Sequence, residues 1–296
     1  MPHFSRLLWF FAFSALFLGL NCTKKDEPQN QPRERSGVLE FNAGENFGGK
    51  SIPVHYFIPA GDIKSMKFQI VMHGVDRNAR DYLAGWAQKA RNYKVIVIAP
   101  EFRSNDFNTS QYNEGNFMVN SVVQPAEKTT FSLIDKIFEQ IKAEFSLEQT
   151  TYNIYGHSAG AQFVHRFMQF YESPYVDRAV AANAGWYTFP DPNVSFPYGI
   201  RNLFNNNEAH QRLYCAKKLF ILLGTSDTQR DNNLRTTQQA DAQGRNRLER
   251  GESFFAFNES IATALNSDFN WTKLLVEDVA HEHLKMSAAA ADLLYQ

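Results

Sequence analysis

Ser158 lies in the stretch Gly156-His157-Ser158-Ala159-Gly160, a Gly-x-Ser-x-Gly pattern. A serine hydroxyl attacks a carbonyl carbon only when a base takes its proton and a third group orients that base. The flanking glycines are what a sharp turn requires where a side chain would strike neighbouring backbone. Residue frequency alone produces the pattern roughly 0.05 times in a chain like this, so its setting has to carry the weight. Tyr152–Tyr155 before it reads as a buried strand, and Ala159–Phe170 after it has the spacing of an amphipathic helix. Such a strand-turn-helix lifts the serine above a sheet. It also aims the free N–H groups of the helix start, Ala159 first, at an oxygen gaining negative charge.

An acid and a base are expected on loops that follow later strands. Lys218–Leu223 is an apolar strand ending in Gly224-Thr225-Ser226-Asp227, which puts Asp227 just past its end. Asp231 and Asp278 are the competing carboxylates, since aspartates also form turns and cap helices. Lys273–Val276 is followed by Glu277-Asp278-Val279-Ala280-His281-Glu282-His283 and an alanine-rich terminal helix. His281, nearer the strand, can turn its imidazole back over the sheet. His283 falls in the first helical turn and is the alternative base. A His-x-His pair can bind metal, but no Cys, His and carboxylate cluster with ligand spacing accompanies it, so no metal is expected. His55 in an early strand, His165 inside a helix and His210 in an irregular stretch read as structural. Phe68–Met72 leads into His73-Gly74-Val75-Asp76, where the Val75 N–H is the expected second oxyanion donor and His73 fixes the loop.

The runs around these residues alternate between strand and helix. Val38–Phe41 and Ile52–Ile58 read as an opening strand pair, and Phe68–Met72, Val95–Ala99 and Arg178–Ala182 as short buried strands. Helical spacing runs over 77–92, 126–145, 254–265 and 284–294. The alternation predicts a single α/β domain whose mostly parallel, twisted sheet is covered by helices on both faces. Reacting groups then sit beyond the carboxyl ends of the strands, where Ser158, Asp227 and His281 all fall. Ala184–Gly199 carries Trp186, Tyr187, Phe189, Phe196 and Tyr198 among prolines and asparagines. It reads as a small aromatic-rich cap insertion, with Trp186, Tyr187 and Phe189 as candidate pocket residues. Arg103–Asn116 is a second, polar loop beside the expected site.

The start of the chain serves another purpose. Met1–Arg6 is basic, and Leu7–Leu20 is an unbroken apolar run of 14 residues. As a helix it would rise about 21 Å, short of the ~30 Å hydrocarbon core. A cleavable export signal over 1–21 fits better than a membrane span. It ends Gly19-Leu20-Asn21-Cys22, in the manner of a bacterial lipoprotein signal that leaves Cys22 lipidated. Residues 22–36 are charged and contain proline, as a flexible tether does. The globular body is expected over 37–296. The expected place is the bacterial cell envelope, exported, with lipid at Cys22 as the one contact with a membrane. Cys215 is then left without a partner, and no disulfide is expected. The formal net charge of −1 offers no electrostatic case for nucleic acid as a partner.

His73-Gly74 with Val75, Ala99-Pro100-Glu101-Phe102, the Gly156–Gly160 turn, Gly224-x-x-Asp227 and Val279-Ala280-His281 with Met286 together resemble the α/β-hydrolase superfamily. The resemblance spans nearly all of 37–296 and points to the secreted polyhydroxybutyrate depolymerase and feruloyl esterase groups. It implies the chain order Ser158, Asp227, His281, and so favours Asp227 over Asp231 and His281 over His283. It further implies a carboxylic-ester hydrolase that works through an acyl-enzyme, without cofactor, on a small-molecule or polymer-derived ester. Two features depart from those groups. Val75 stands where a polar residue or cysteine often follows His-Gly, and the cysteines that staple secreted members are missing. A serine peptidase of the same fold, a non-catalytic binding protein on a hydrolase scaffold, and acyl transfer to an acceptor other than water are the alternatives.

Overall fold

In the computed structural model, which describes Met1 and residues 33–296, the apolar runs become the strands of one eight-stranded sheet. They are β1 (Arg35–Asn42), β2 (Ser51–Ile58), β3 (Lys67–Met72), β4 (Val95–Pro100), β5 (Tyr152–His157), β6 (Val176–Ala182), β7 (Leu219–Gly224) and β8 (Thr272–Val276). Across the sheet they run β1-β2-β4-β3-β5-β6-β7-β8. The β1–β2 and β2–β4 pairs are antiparallel and all others parallel. The sheet is therefore mixed at one edge and parallel through the part that carries the candidate site. The export signal, Cys22 and most of the tether lie outside the described residues. Arg35 and Ser36, expected in the tether, already pair with Ile58 and Phe57.

The central strands are buried along their whole length, as the continuous apolar runs VIVIAP in β4 and the run YNIYGH in β5 require. Alternate side chains enter opposite faces. Ile70, Met72, Ile96 and Ile98 pack into one core with α2 (Phe131–Phe145), α3 (Ala159–Phe170) and α5 (Arg247–Leu265). Val71, Val95, Val97 and Tyr155 pack into the other, under α1 (Ala79–Tyr93) and α6 (His283–Tyr295). A further helix, α4 (Asn207–Ala216), lies within and beyond the stretch expected to be irregular.

Two helix boundaries differ from expectation for local reasons. The helix expected over 126–145 is broken: Ala126–Lys128 is a single tight turn, and α2 starts only at Phe131. Thr130 is drawn out of the helix by its N–H bond to Gly115 O at 2.9 Å and its hydroxyl bond to Gln111 O at 2.6 Å. Helix α5 starts at Arg247 rather than near Phe254. Asn246 caps it, accepting from the Glu249 N–H at 2.9 Å.

Candidate active site

Ser158 stands between the end of β5 and the start of α3 with φ 58° and ψ −117°. A residue with a side chain holds a positive φ of this kind at a cost of about 1–3 kcal/mol, and only where its surroundings over-determine it. Here they do. The Ser158 N–H donates to Ala182 O at 3.0 Å, and the Ser158 carbonyl accepts from the Gln162 N–H at 3.1 Å. A Cβ on Gly156 would lie 2.2 Å from the Gly160 carbonyl oxygen, and one on Gly160 would lie 2.2 Å from that of Met72. The helix thus sits closer to β3 and β5 than any other residue would permit. Ala159, buried at the first helical position, has no intrahelical acceptor for its N–H.

Two loops meet beside the serine. The loop after β7 is stitched to the loop after β8 by Thr225 N–H to Val276 O and Ser226 N–H to Val279 O, each 3.0 Å, and by Asp278 N–H to Thr225 Oγ1 at 2.9 Å. Asn183, just past β6, accepts from the Gly224 N–H at 2.8 Å and donates to Ala280 O at 3.3 Å. This places His281 Nδ1 2.7 Å from Asp227 Oδ2. Asp227 is buried, and a carboxylate there holds the imidazole proton on Nδ1, leaving the Nε2 lone pair free to act as a base. Among the described residues no hydrogen bond joins Ser158 to His281. Such bonds are commonly loose before a substrate arrives.

The competing residues are engaged elsewhere. Asp231 makes a two-pronged ion pair with the buried Arg247, at 2.7 and 2.9 Å, and this pairing holds its carboxyl below the ordinary range. The same guanidinium reaches within 3.5 Å of Asp227 Oδ1. Asp278 is an exposed turn residue with φ 58°. His283 opens α6 and stacks on Tyr82, ring centres 4.5 Å apart, with burial lowering its pKa.

The loop after β3 forms the opposite rim. His73 is fully buried, with Nδ1 3.0 Å from Gly74 O and Nε2 accepting the Phe102 N–H at 3.1 Å. Burial pulls its pKa down to about 3, so it stays neutral with both ring nitrogens engaged. It is a strut for the loop. A Cβ on Gly74 would lie 3.9 Å from the Ser158 Cβ, so this backbone runs directly against the serine. Val75 is exposed and lines the cleft with Ser158.

Solved structures share the architecture. Poly(aspartic acid) hydrolase-1 from Sphingomonas sp. KT-1 is 36% identical, over 90% of this chain and 100% of that one, with a TM-score of 0.82. The chain belongs to the α/β-hydrolase superfamily. LpqC, a poly(3-hydroxybutyrate) depolymerase from Bordetella parapertussis, is 26% identical over 89% of this chain and 90% of its own, with a TM-score of 0.83. A ferulic acid esterase, 12% identical with a TM-score of 0.54 over 90% and 97% of the two chains, shares the fold. No protein-family profile matches the chain, and no curated protein matches it.

In this α/β-hydrolase two cavities meet at Ser158. The larger, about 360 Å³, is lined by Val75, Ala159, Gln162, Trp186 and Arg235 among others. The smaller, about 120 Å³, is lined by Gly74, Tyr82, His157, Asn233 and His281. Of the three aromatic residues expected in the pocket, only Trp186 lines the cleft. Tyr187 is fully buried, stacked on Phe254 at 4.3 Å, and Phe189 faces Phe254 and Phe257 in a separate cavity. Neighbouring residues in this run face opposite sides, so Trp186 turns to the cleft while Tyr187 and Phe189 share the core side. Thr109, Asn113, Gln162, Asn232 and Asn233 supply polar groups to the cleft wall, beside Gly185 and the apolar Leu234.

Several contributors escaped the sequence reading of this hydrolase. His157 is buried beside His281, ring centres 4.5 Å apart, with Nδ1 3.0 Å from the Tyr82 hydroxyl; burial keeps it neutral. Arg166, fully buried in α3, donates to Thr188 Oγ1 at 2.8 Å, Asn113 O at 2.9 Å and Gln162 O at 3.0 Å. Burial pulls its pKa down to about 9. A signal for Arg166 was present, since it is a charged residue in a helix that otherwise carries none. Arg247 left none, because its partners lie in a loop outside its own helix. Among the described residues, no group of three or more His, Cys, Asp or Glu is placed to hold a metal ion.

Proposed function

We propose that this hydrolase cleaves carboxylic esters through an acyl-enzyme on Ser158, with His281 as base and Asp227 orienting it. The observation that carries the reading is the 2.7 Å Asp227–His281 bond at the mouth of the cleft that contains the strained serine. His281 Nε2 takes the Ser158 proton as Oγ bonds to the substrate carbonyl carbon. The negative oxygen that forms faces the N–H groups of Ala159 and Val75. Collapse breaks the bond to the leaving oxygen, which takes the proton from His281. Water, deprotonated by the same imidazole, then releases the acid and restores the serine.

The substrates are polymer-derived. Two of the similar proteins act on polymers, poly(aspartic acid) and poly(3-hydroxybutyrate), the first joined by amides and the second by esters. The likeness to the first favours a second reading, in which the bond cut is an amide. The same nucleophile and base serve either bond. Matched ester and amide oligomers decide between them, and a fluorophosphonate probe tests the serine. Labelling of wild type but not of Ser158→Ala is expected; a folded wild type inert to probe and nitrophenyl esters alike would sink the hydrolase reading. We also propose export and lipid attachment at Cys22, supported by the Leu7–Leu20 run and the Gly19–Cys22 junction. Intact mass of the membrane fraction should show the added acyl groups.

A further inference from the structure

The cleft beside Ser158 has an uneven charge that the hydrolytic chemistry does not use. Arg235 lines it, with its guanidinium carbon 4.6 Å from the centre of the Trp186 ring. The guanidinium carbon of Arg166 lies 4.0 Å from the centre of the same ring. One indole therefore carries two cations, each attracted to the ring and repelled by the other. Among the described residues a single carboxylate approaches the pair, Glu114 at 3.9 Å from Arg235, and Glu114 also accepts from the Ser110 hydroxyl at 3.2 Å. Among the described residues Arg166 has no carboxylate within ion-pair distance, and its buried Nη2 has no hydrogen-bond partner. Two positive groups against one negative leave the cleft with an excess positive charge. Low-dielectric walls concentrate the resulting field in the opening.

The Gln162 amide adds donors to this wall. Asn113 Nδ2 donates to Gln162 Oε1 at 3.1 Å, so the amide oxygen is taken and Nε2, beside Gly185 of the cleft wall, is the group left to donate. Among the described residues no aspartate or glutamate lines this cavity.

The side of the substrate follows from proton transfer. The leaving oxygen takes its proton from His281, so it departs toward the smaller cavity that His281 lines. The acyl part then occupies the larger one, over Ala159 and against Trp186 and Arg235.

We propose that the larger cavity is a carboxylate subsite: Arg235, seated on Trp186 and backed by Arg166 and Gln162, binds an anionic group carried on the acyl part of the substrate. The inference rests on the Ser158 hydrolase reading and names the acyl chemistry it selects. Arg235 meets the carboxylate through paired N–H groups. Its half-exposed position makes the attraction sensitive to salt.

The test compares two esters of equal acyl length, the 4-nitrophenyl monoester of adipic acid and 4-nitrophenyl hexanoate. Wild type is expected to prefer the charged ester by about tenfold in kcat/KM, carried by KM and shrinking as salt rises. Arg235→Gln should cost the adipate ester about tenfold more than it costs the hexanoate, and Arg235→Lys should restore part of the preference. Equal kcat/KM for the two esters in wild type, or an unchanged ratio in Arg235→Gln, overturns the subsite while leaving the hydrolase reading intact. Calorimetry of free adipate with Ser158→Ala gives a readout independent of turnover. Binding there that Arg235→Gln abolishes supports the subsite even if neither ester is cleaved, and no binding in that case counts against it.

Discussion

The two walls of the cleft are held in place by different means. The wall that carries Ser158 is a backbone construction, in which Gly156 and Gly160 let a helix seat against two strands, and sheet hydrogen bonds fix the serine. The wall that carries Trp186 and Asn232–Arg235 is clamped by side chains, chiefly three buried arginines. Arg166 gathers the Asn113, Gln162 and Thr188 groups, Arg247 binds Asp231, and Arg250 donates to Gly185 O at 2.6 Å and to Asp241 at 2.8 Å. Backbone constructions are local and tolerate no substitution at their closest contacts. Side-chain clamps reach across the chain and can be rebuilt with other residues. The difference places the chemistry on the rigid wall and leaves substrate choice to the adjustable one.

The largest effect expected is on turnover. His281→Ala or Asp227→Asn should each lower kcat by about 10³–10⁴-fold on a nitrophenyl ester, with circular dichroism unchanged. Activity that survives His281→Ala but is lost in His283→Ala would move the base to the other histidine. Next comes the backbone wall itself. Gly160→Ala drives a Cβ into the Met72 carbonyl and should destabilise the fold by more than about 3 kcal/mol in urea melts, whereas Gly48→Ala, at a surface turn with open space, should cost far less. On the clamped wall, Arg166→Met leaves the Asn113 and Gln162 carbonyls and the Thr188 hydroxyl short of a donor. A loss of about 2–4 kcal/mol is expected, and no loss would show that these groups find water instead.

A separate effect, on stability alone, should appear with pH. His73, His157 and His165 are buried and their pKa values are lowered, so each stays neutral in the fold while the unfolded chain takes up a proton near pH 6.5. The unfolded state then binds more protons, and stability must fall as pH drops below about 6.5. Each histidine contributes a slope of about 1 kcal/mol per pH unit, continuing for His73 toward its folded value of about 3. Denaturation at pH 7, 6 and 5 reads this directly. A flat profile would mean that these rings accept protons in place.

The backbone wall was legible in the sequence and the clamped wall was not. Gly156, Ser158 and Gly160 between an apolar strand and a helix, and Asp227 and His281 past later strands, are signals within a few residues of each other or of a strand end. Even the helix start at His283 could be read that way. Trp186, Tyr187 and Phe189 could not be sorted, because composition marks an aromatic segment but not which side each ring faces. Phe254, the ring that claims Tyr187 and Phe189, lies more than 60 residues further on. Arg247 lies in a charged stretch, RNRLER, and nothing in that stretch marks it as the partner of Asp231 and Asp227.

Asp227 and Arg235 stand at the two ends of one short loop, and Arg247 ties its middle, at Asp231, to the start of α5. For anyone wishing to retune this protein, that wiring ranks the available loops. Grafting a new sequence between 227 and 235 would change the substrate wall and unsettle the histidine's partner in the same stroke. Thr109 touches the same cleft, is exposed and carries neither the acid nor the base, which makes it the safer position to vary, whereas Tyr112 and Asn113 beside it are tied to His73 O and Arg166.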